Sequence, residues 1–218
     1  MPTKSSSENP WLYIFVKPRA TIASIVSKNP RFRLLTLSWL HGMPVILHFW
    51  QNMTIGTKAD LFGTVLIGVL LSFLVGFLGI TIGSALIFWV GKWIGGQAPF
   101  TNVRAAVAWS NVPNVVTIAT WILLFAVFKR DAFNLEPLLS GATVATFSQG
   151  LLLASVQVLQ LIASIWSIVI LVKAVAQVQG FSAWKGLLNV LLPILLLIAL
   201  ATLAVFFIAL VSHTGSQG

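Results

Sequence analysis

The chain predicts an all-α membrane protein with five transmembrane helices and an N-terminal interfacial amphipathic helix. Three observations predict it. Of 218 residues, 58% are hydrophobic and only 8% are charged, a dilution that soluble domains do not reach. The charges are confined to short stretches between apolar runs too long to be core strands. Lys and Arg also crowd onto alternate loops. A chain of this size makes one bundle. Residues 1–33 form a cytoplasmic segment carrying the interfacial helix, 34–212 the five-helix membrane domain, and 213–218 a short extracytoplasmic tail.

A hydrocarbon core of about 30 Å needs roughly 20 helical residues. The first span covers Leu34 to Trp50 and is the weakest, with Gly42 and Pro44 inside it. The second, Leu61 to Val90, is uncharged and longer than the bilayer core, so it must tilt or overrun the interface. The third is Ala105 to Phe128. The fourth lies within Leu138 to Val172, starting near Ala145, and the fifth runs from Gly186 to Ser212.

The formal charge of +9 is a topological signal rather than a nucleic-acid signal, because the basic residues flank apolar spans. The N-terminal side holds ten Lys and Arg residues: Lys4, Lys17, Arg19, Lys28, Arg31, Arg33, Lys92, Arg104, Lys173 and Lys185. The other side holds three: Lys58, Lys129 and Arg130. The excess places the N-terminus in the cytoplasm, and an odd span count places the C-terminus outside. The polar, basic start of the chain lacks a cleavable signal. Without cysteine there is no disulfide framework or thiolate site.

Within the first segment, Pro18 suits a first helical position, and Ile22, Ile25 and Val26 share one face. Trp11, Tyr13 and Phe15 read as anchors. Arg19 and Lys28 lie beside lipid phosphates in this reading, which makes the bilayer, with its anionic headgroups, the first partner. The competing arrangement is a helix that caps the bundle from below without meeting lipid. Trp184 and Trp93 fit an aromatic belt, Gly180 closes the fourth helix and Ser182 caps the fifth.

Polar and small residues inside the spans supply the candidate sites. Ser72, Gly76, Gly79 and Gly83 make a smooth face containing a GxxxG. It serves either packing within the protomer or a homodimer seam. Ser110, Asn114 and Thr117 share a face of the third span, with Asn111 beside them. Gln157, Gln160 and Ser164 form a stripe on the fourth. Neither stripe faces lipid cheaply, so the simplest arrangement opposes them as one polar seam, either closed by amide hydrogen bonds or hydrated as a path for a polar solute. Pro113 reads as a kink and Asn114 as the interhelical donor. Asn111, off that face, is the residue to meet a ligand if any does. Pro44 should free a carbonyl for a neighbouring side chain. His41 and His48 are too far apart to share a metal ion and read as satisfied polar groups.

Catalysis, cofactors and metals are not expected. Only four acids exist, Glu8, Asp60, Asp131 and Glu136, and the last two share one loop with Lys129 and Arg130. Gly95-Gly96 in KWIGGQAPF lacks the lysine of a phosphate loop and reads as a turn.

Three stretches in series carry a family resemblance. The start, NPW-x-x-I-F-x-K-P-R-A-T-I, resembles that of bacterial proteins of the Yip1 family. AVAWSNVPNVV resembles the family's third-span pattern, and AQVQGFSAWKGLLNVLLP its signature before the last helix. The resemblance implies five spans, a cytoplasmic N-terminus and a non-enzymatic, structural or membrane-organising role, acting alone, as a homo-oligomer or with a membrane-protein partner. Eukaryotic members, tied to small GTPases and vesicle trafficking, have a long acidic N-terminal region with a Tyr-Gly-Pro motif. This chain has no such motif, so GTPase binding is not carried over. A small-solute transporter or channel using the polar seam is the alternative.

Overall fold

The structure is a computed structural model that describes residues 9–53, 60–135 and 146–215, with side chains as far as residue 206. Lys4, Glu8, Lys58, Glu136 and the last three residues of the tail lie outside these. The described residues are helical without a strand: α1 Pro10–Val16, α2 Pro18–Lys28, α3 Leu34–Asn52, α4 Leu61–Trp93, α5 Phe100–Trp109, α6 Asn114–Phe128, a 3-10 turn Lys129–Phe133, α7 Phe147–Gln179 and α8 Ala183–Gly215.

The punctuation is local. Asn9 accepts from the Trp11 N–H to open α1, and Asp60 accepts from the Gly63 N–H to open α4. A Thr146–Gln149 capping box opens α7. Gly180, at φ 73°, ends α7, and the Ser182 hydroxyl accepts from the Lys185 N–H to begin α8. Gly95, at φ 87°, turns the chain after α4 while the Gly96 N–H returns to the Gly91 carbonyl.

Among the described residues four stretches are long and apolar enough to cross a membrane: Leu61–Trp93, Phe100–Phe133, Phe147–Gln179 and Ala183–Phe206. The expected first span, α3, is not among them. Its 19 residues are diluted by His41, His48, Gln51 and Asn52. Helix α3 instead packs one whole side into the bundle, with Leu37, Ser38, Leu40, Gly42, Met43, Pro44, Ile46, Leu47 and Trp50 all buried. It lies against α4 along most of its length and also touches α5, α6 and the 3-10 turn. By contrast α4 and α7 turn Leu70, Leu74, Leu78, Leu151, Leu161 and Ile165 outward, as a lipid-facing surface requires.

The third span is two helices rather than one kinked helix. Between α5 and α6 the backbone N–H groups of Asn111, Val112, Asn114, Val115 and Val116 reach back three residues instead of four. Pro113, which has no N–H, sits inside this tightened turn.

The N-terminal segment packs on the bundle. Ile14, Ile22 and Ile25 are buried in one apolar cluster with Val103, Ala106 and Trp109 of α5 and Ile170, Ala174 and Val175 of α7. Trp11 packs on Trp109, ring centroids 5.2 Å apart. The narrow apolar stripe of α2 is used up inside the protein, so α1 and α2 cap the bundle. A second cluster at the opposite end gathers Leu47, Trp50, Trp121, Leu124, Phe128 and Phe133. Trp39 and Ile118 touch both.

Candidate functional site

The polar interior forms around α3. Pro44 has no N–H to give the Leu40 carbonyl, the normal i−4 acceptor in a helix. The Asn114 Nδ2 group, at the first position of α6, donates to that carbonyl at 3.4 Å. It lies equally far from Asn111 Oδ1. Asn111 in turn donates from Nδ2 to the Val107 carbonyl at 2.7 Å, which fixes its Oδ1 toward α3. There His41 Nδ1–H donates to it at 2.8 Å. The proton on Nδ1 leaves Nε2 as the unprotonated nitrogen of the neutral ring. That edge lies against Gly79 of α4, where a Cβ would be 2.9 Å from Nε2. Gly79 is therefore a notch for the His41 ring.

A second node lies two helical turns along. His48 Nδ1–H donates to the Pro44 carbonyl at 2.8 Å. Its Nε2 is 3.4 Å from Gln160 Oε1, and its ring meets the Trp121 ring edge-on. Gln160 Nε2 donates to Thr120 Oγ1 at 2.8 Å, and the Thr120 hydroxyl passes on to the Thr117 carbonyl. Further along, Gln51 Nε2 donates to the Ala132 carbonyl at 2.8 Å. One helix thus ties α6 and the 3-10 turn together through neutral hydrogen bonds and places His48 beside Gln160 of α7.

The single seam between the third and fourth spans divides accordingly. Asn111 and Asn114 turn to α3. Gln160 joins α7 to α6 and lies beside His48 of α3. Ser110 and Ser164 spend their hydroxyls on carbonyls of their own chain segment, Val107 and Gln160. Gln157 is exposed on the outer face, three residues and nearly a full turn from Gln160. Of the glycine face, Gly76 is buried against α3, while Gly83 has open space where a side chain would go. Trp11 is half-buried, Lys28 exposed, and Trp184 81% exposed. Arg19 points NH2 at the Phe181 carbonyl, 3.5 Å away.

Sequence reasoning passed over Gln179 and Asn189. Gln179, at the end of α7, is 3% exposed and accepts through Oε1 from the Ala98 N–H at 3.2 Å. A Cβ at Gly91 or Gly96 would collide with its amide. It clamps the turn joining α4 to α5. Asn189, in α8, is fully buried beside Gly91. A lone amide between apolar neighbours, as in LLNVLL, was the available signal.

The pairing of Asn114 with the Pro-freed carbonyl has a direct test. Asn114→Leu is expected to cost about 1 kcal/mol. In a Pro44→Ala background residue 44 regains an N–H for Leu40, and the same change should cost less. A double-mutant cycle on thermal unfolding in detergent reads this coupling, and a coupling of zero removes the pairing.

Among the described residues no three His, Asp or Glu side chains come together to hold a metal ion. Searches of curated proteins and of solved structures return no match. The family model of the Yip1 domain matches residues 12–206, which takes in α2 to α7, most of α1 and most of α8. With that match over nearly the whole chain, this protein belongs to the Yip1 family.

Proposed function

We propose that this protein is a non-enzymatic, membrane-organising component of a bacterial cytoplasmic membrane, working through its packed bundle rather than through a reaction or a transport cycle. That it is a multi-pass membrane protein rests on its family and its apolar helices. In this reading α3 is a fifth span, short but shielded by α4, and the N-terminal end faces the cytoplasm. One observation carries the reading. The polar groups gathered around α3 and α6, His41, Asn111, Asn114, Thr120 and Gln160, are spent on one another and on helix carbonyls. The cationic N-terminal end would then meet the anionic leaflet.

The interrupted α5–α6 helix favours a second reading, because transporters place such breaks at their binding sites. Against it, the residues that a path would need do not share one: Gln157 is on the outer face and Asn111 is turned to α3. The test is reconstitution into vesicles. Asn111→Leu and Gln160→Leu should each lower the melting temperature, by about 1 kcal/mol of stability. Permeability to protons and small polar solutes should match that of empty vesicles for every variant. A wild-type flux above the empty-vesicle level, changed by these substitutions in folded protein, would overturn the structural reading.

A further inference from the structure

The two ends of the bundle differ in charge balance, and one cluster of side chains at the basic end stands apart. Among the described residues the N-terminal end carries Lys17, Arg19, Lys28, Arg31, Arg33, Lys92, Arg104, Lys173 and Lys185, with no acid. Asp60 and Asp131 are both at the other end, the latter next to Lys129 and Arg130. Several of the cations rest on rings: Lys92 over Phe88, Arg104 over Phe100, Lys185 over Phe181. Such rings hold a cation in place but do not cancel its charge.

Phe181, between α7 and α8, collects two of them. Lys185 Nζ is 4.6 Å from its ring centroid, and Arg19, half-buried on α2, points at its carbonyl. Lys185 Nζ is also 3.9 Å from where a Cβ would stand on Gly95, so the ammonium is held between Phe181 and the α4–α5 turn. Gathering two like charges around one residue is unfavourable unless an anion joins them. The flanks show what kind of anion. Trp184, next to Lys185, and Trp93, two residues before Gly95, are 81% and 70% exposed, as indoles at headgroup depth are. One to two turns deeper, Trp89 on α4 and Leu188 and Leu191 on α8 are exposed as well. Cations, then interfacial indoles, then an apolar surface match the order of a phospholipid from phosphate to acyl chain.

We propose that Arg19, Lys185, Trp93 and Trp184 form a binding site for the headgroup of an anionic phospholipid. This deepens the proposed cytoplasmic orientation of the basic end and rests on it. The α1–α2 cap contributes Arg19, so an occupied site would pin the cap to the α7–α8 turn.

The test uses the full chain in neutral detergent doped with phosphatidylglycerol or phosphatidylcholine, with bound lipids counted by native mass spectrometry. Lys185→Gln and Arg19→Gln are compared with Lys28→Gln and Arg31→Gln, which remove the same charge elsewhere on that end. The expected result is phosphatidylglycerol retention weakened by roughly fivefold in each of the first pair, the factor that corresponds to ~1 kcal/mol per cation, and little changed in the second. Melting temperatures confirm that the variants are folded. If all four variants lose retention equally, the site is overturned while a diffuse anionic-lipid preference stands. If the wild type does not prefer phosphatidylglycerol, both fail. If inorganic phosphate displaces phosphatidylglycerol and stabilises the wild type equally, the site takes a soluble phosphate and the lipid assignment falls.

Discussion

Gly76→Leu is expected to prevent α3 from docking on α4, leaving protein that aggregates or melts far below the wild type, while Gly83→Leu on the same helix leaves the fold intact. At Gly76 a Cβ would run into the Ser38 carbonyl oxygen and stand 2.9 Å from the Gly42 N. At Gly42 it would run into the Ser72 carbonyl oxygen and stand 2.8 Å from the Gly76 N. These obstacles are backbone, so no rotamer change relieves them. The helices must separate, and the packing around Leu37, Leu40, Met43 and Leu47 is lost with the contact. Overpacking by one methyl costs about 1–3 kcal/mol, and a leucine here should exceed that. Gly83 meets nothing within 4 Å, so Gly83→Ala should gain about 0.5–1 kcal/mol of helix propensity. Thermal unfolding followed by size exclusion distinguishes these outcomes. A Gly76→Leu protein that melts with the wild type would show that the two backbones are not in contact.

That contrast also shows where the sequence stops. A face of small residues on α4 is legible, but its direction is not. The buried ridge steps by four: Thr64, Gly68, Ser72, Gly76, Ile80, Ser84. The stripe read from sequence shares Ser72 and Gly76 and then steps by three to Gly79 and on to Gly83, leaving the ridge. Steps of three and of four are both natural on a helix, and the partner's crossing angle selects between them. That angle is a property of α3, α4 and everything packed on them.

The interior polar groups were legible as a cost needing partners. Pro44 alone announced a freed carbonyl, but only the fold places Asn114 beside it. The asparagines were matched to the fourth span because it carries glutamines. The structure turns them to α3 instead, while α5 and α6 still pack directly on α7. Gly42 and Pro44 make α3 look weak, yet Gly42 is where it meets α4 and the carbonyl freed by Pro44 is where Asn114 reaches it. In the sequence Pro113 reads as a kink. The run of three-residue bonds on both sides of Pro113 depends on the contacts Asn111 and Asn114 make elsewhere.

Trp109→Ala is expected to loosen the N-terminal cap. Trp109 ends α5 and is fully buried. Its ring meets Trp11 of α1 and stacks on Phe32, 6.1 Å between centroids, in the turn before α3. It therefore joins three segments distant in sequence, and its removal leaves a cavity walled by two aromatic rings that have lost their platform. Truncation of a buried tryptophan costs about 3–5 kcal/mol. The loss should be concentrated where the contacts are. Arg31 and Arg33 flank Phe32, so trypsin should cut there faster in Trp109→Ala than in wild type, before the bundle itself melts. Trp109→Phe keeps a ring against Trp11 and should retain most of the protection. Equal cleavage in Trp109→Ala and wild type, with the melting temperature unchanged, would mean that the segment is held by lipid rather than by the bundle, which is the arrangement the sequence first suggested for Trp11, Arg19 and Lys28.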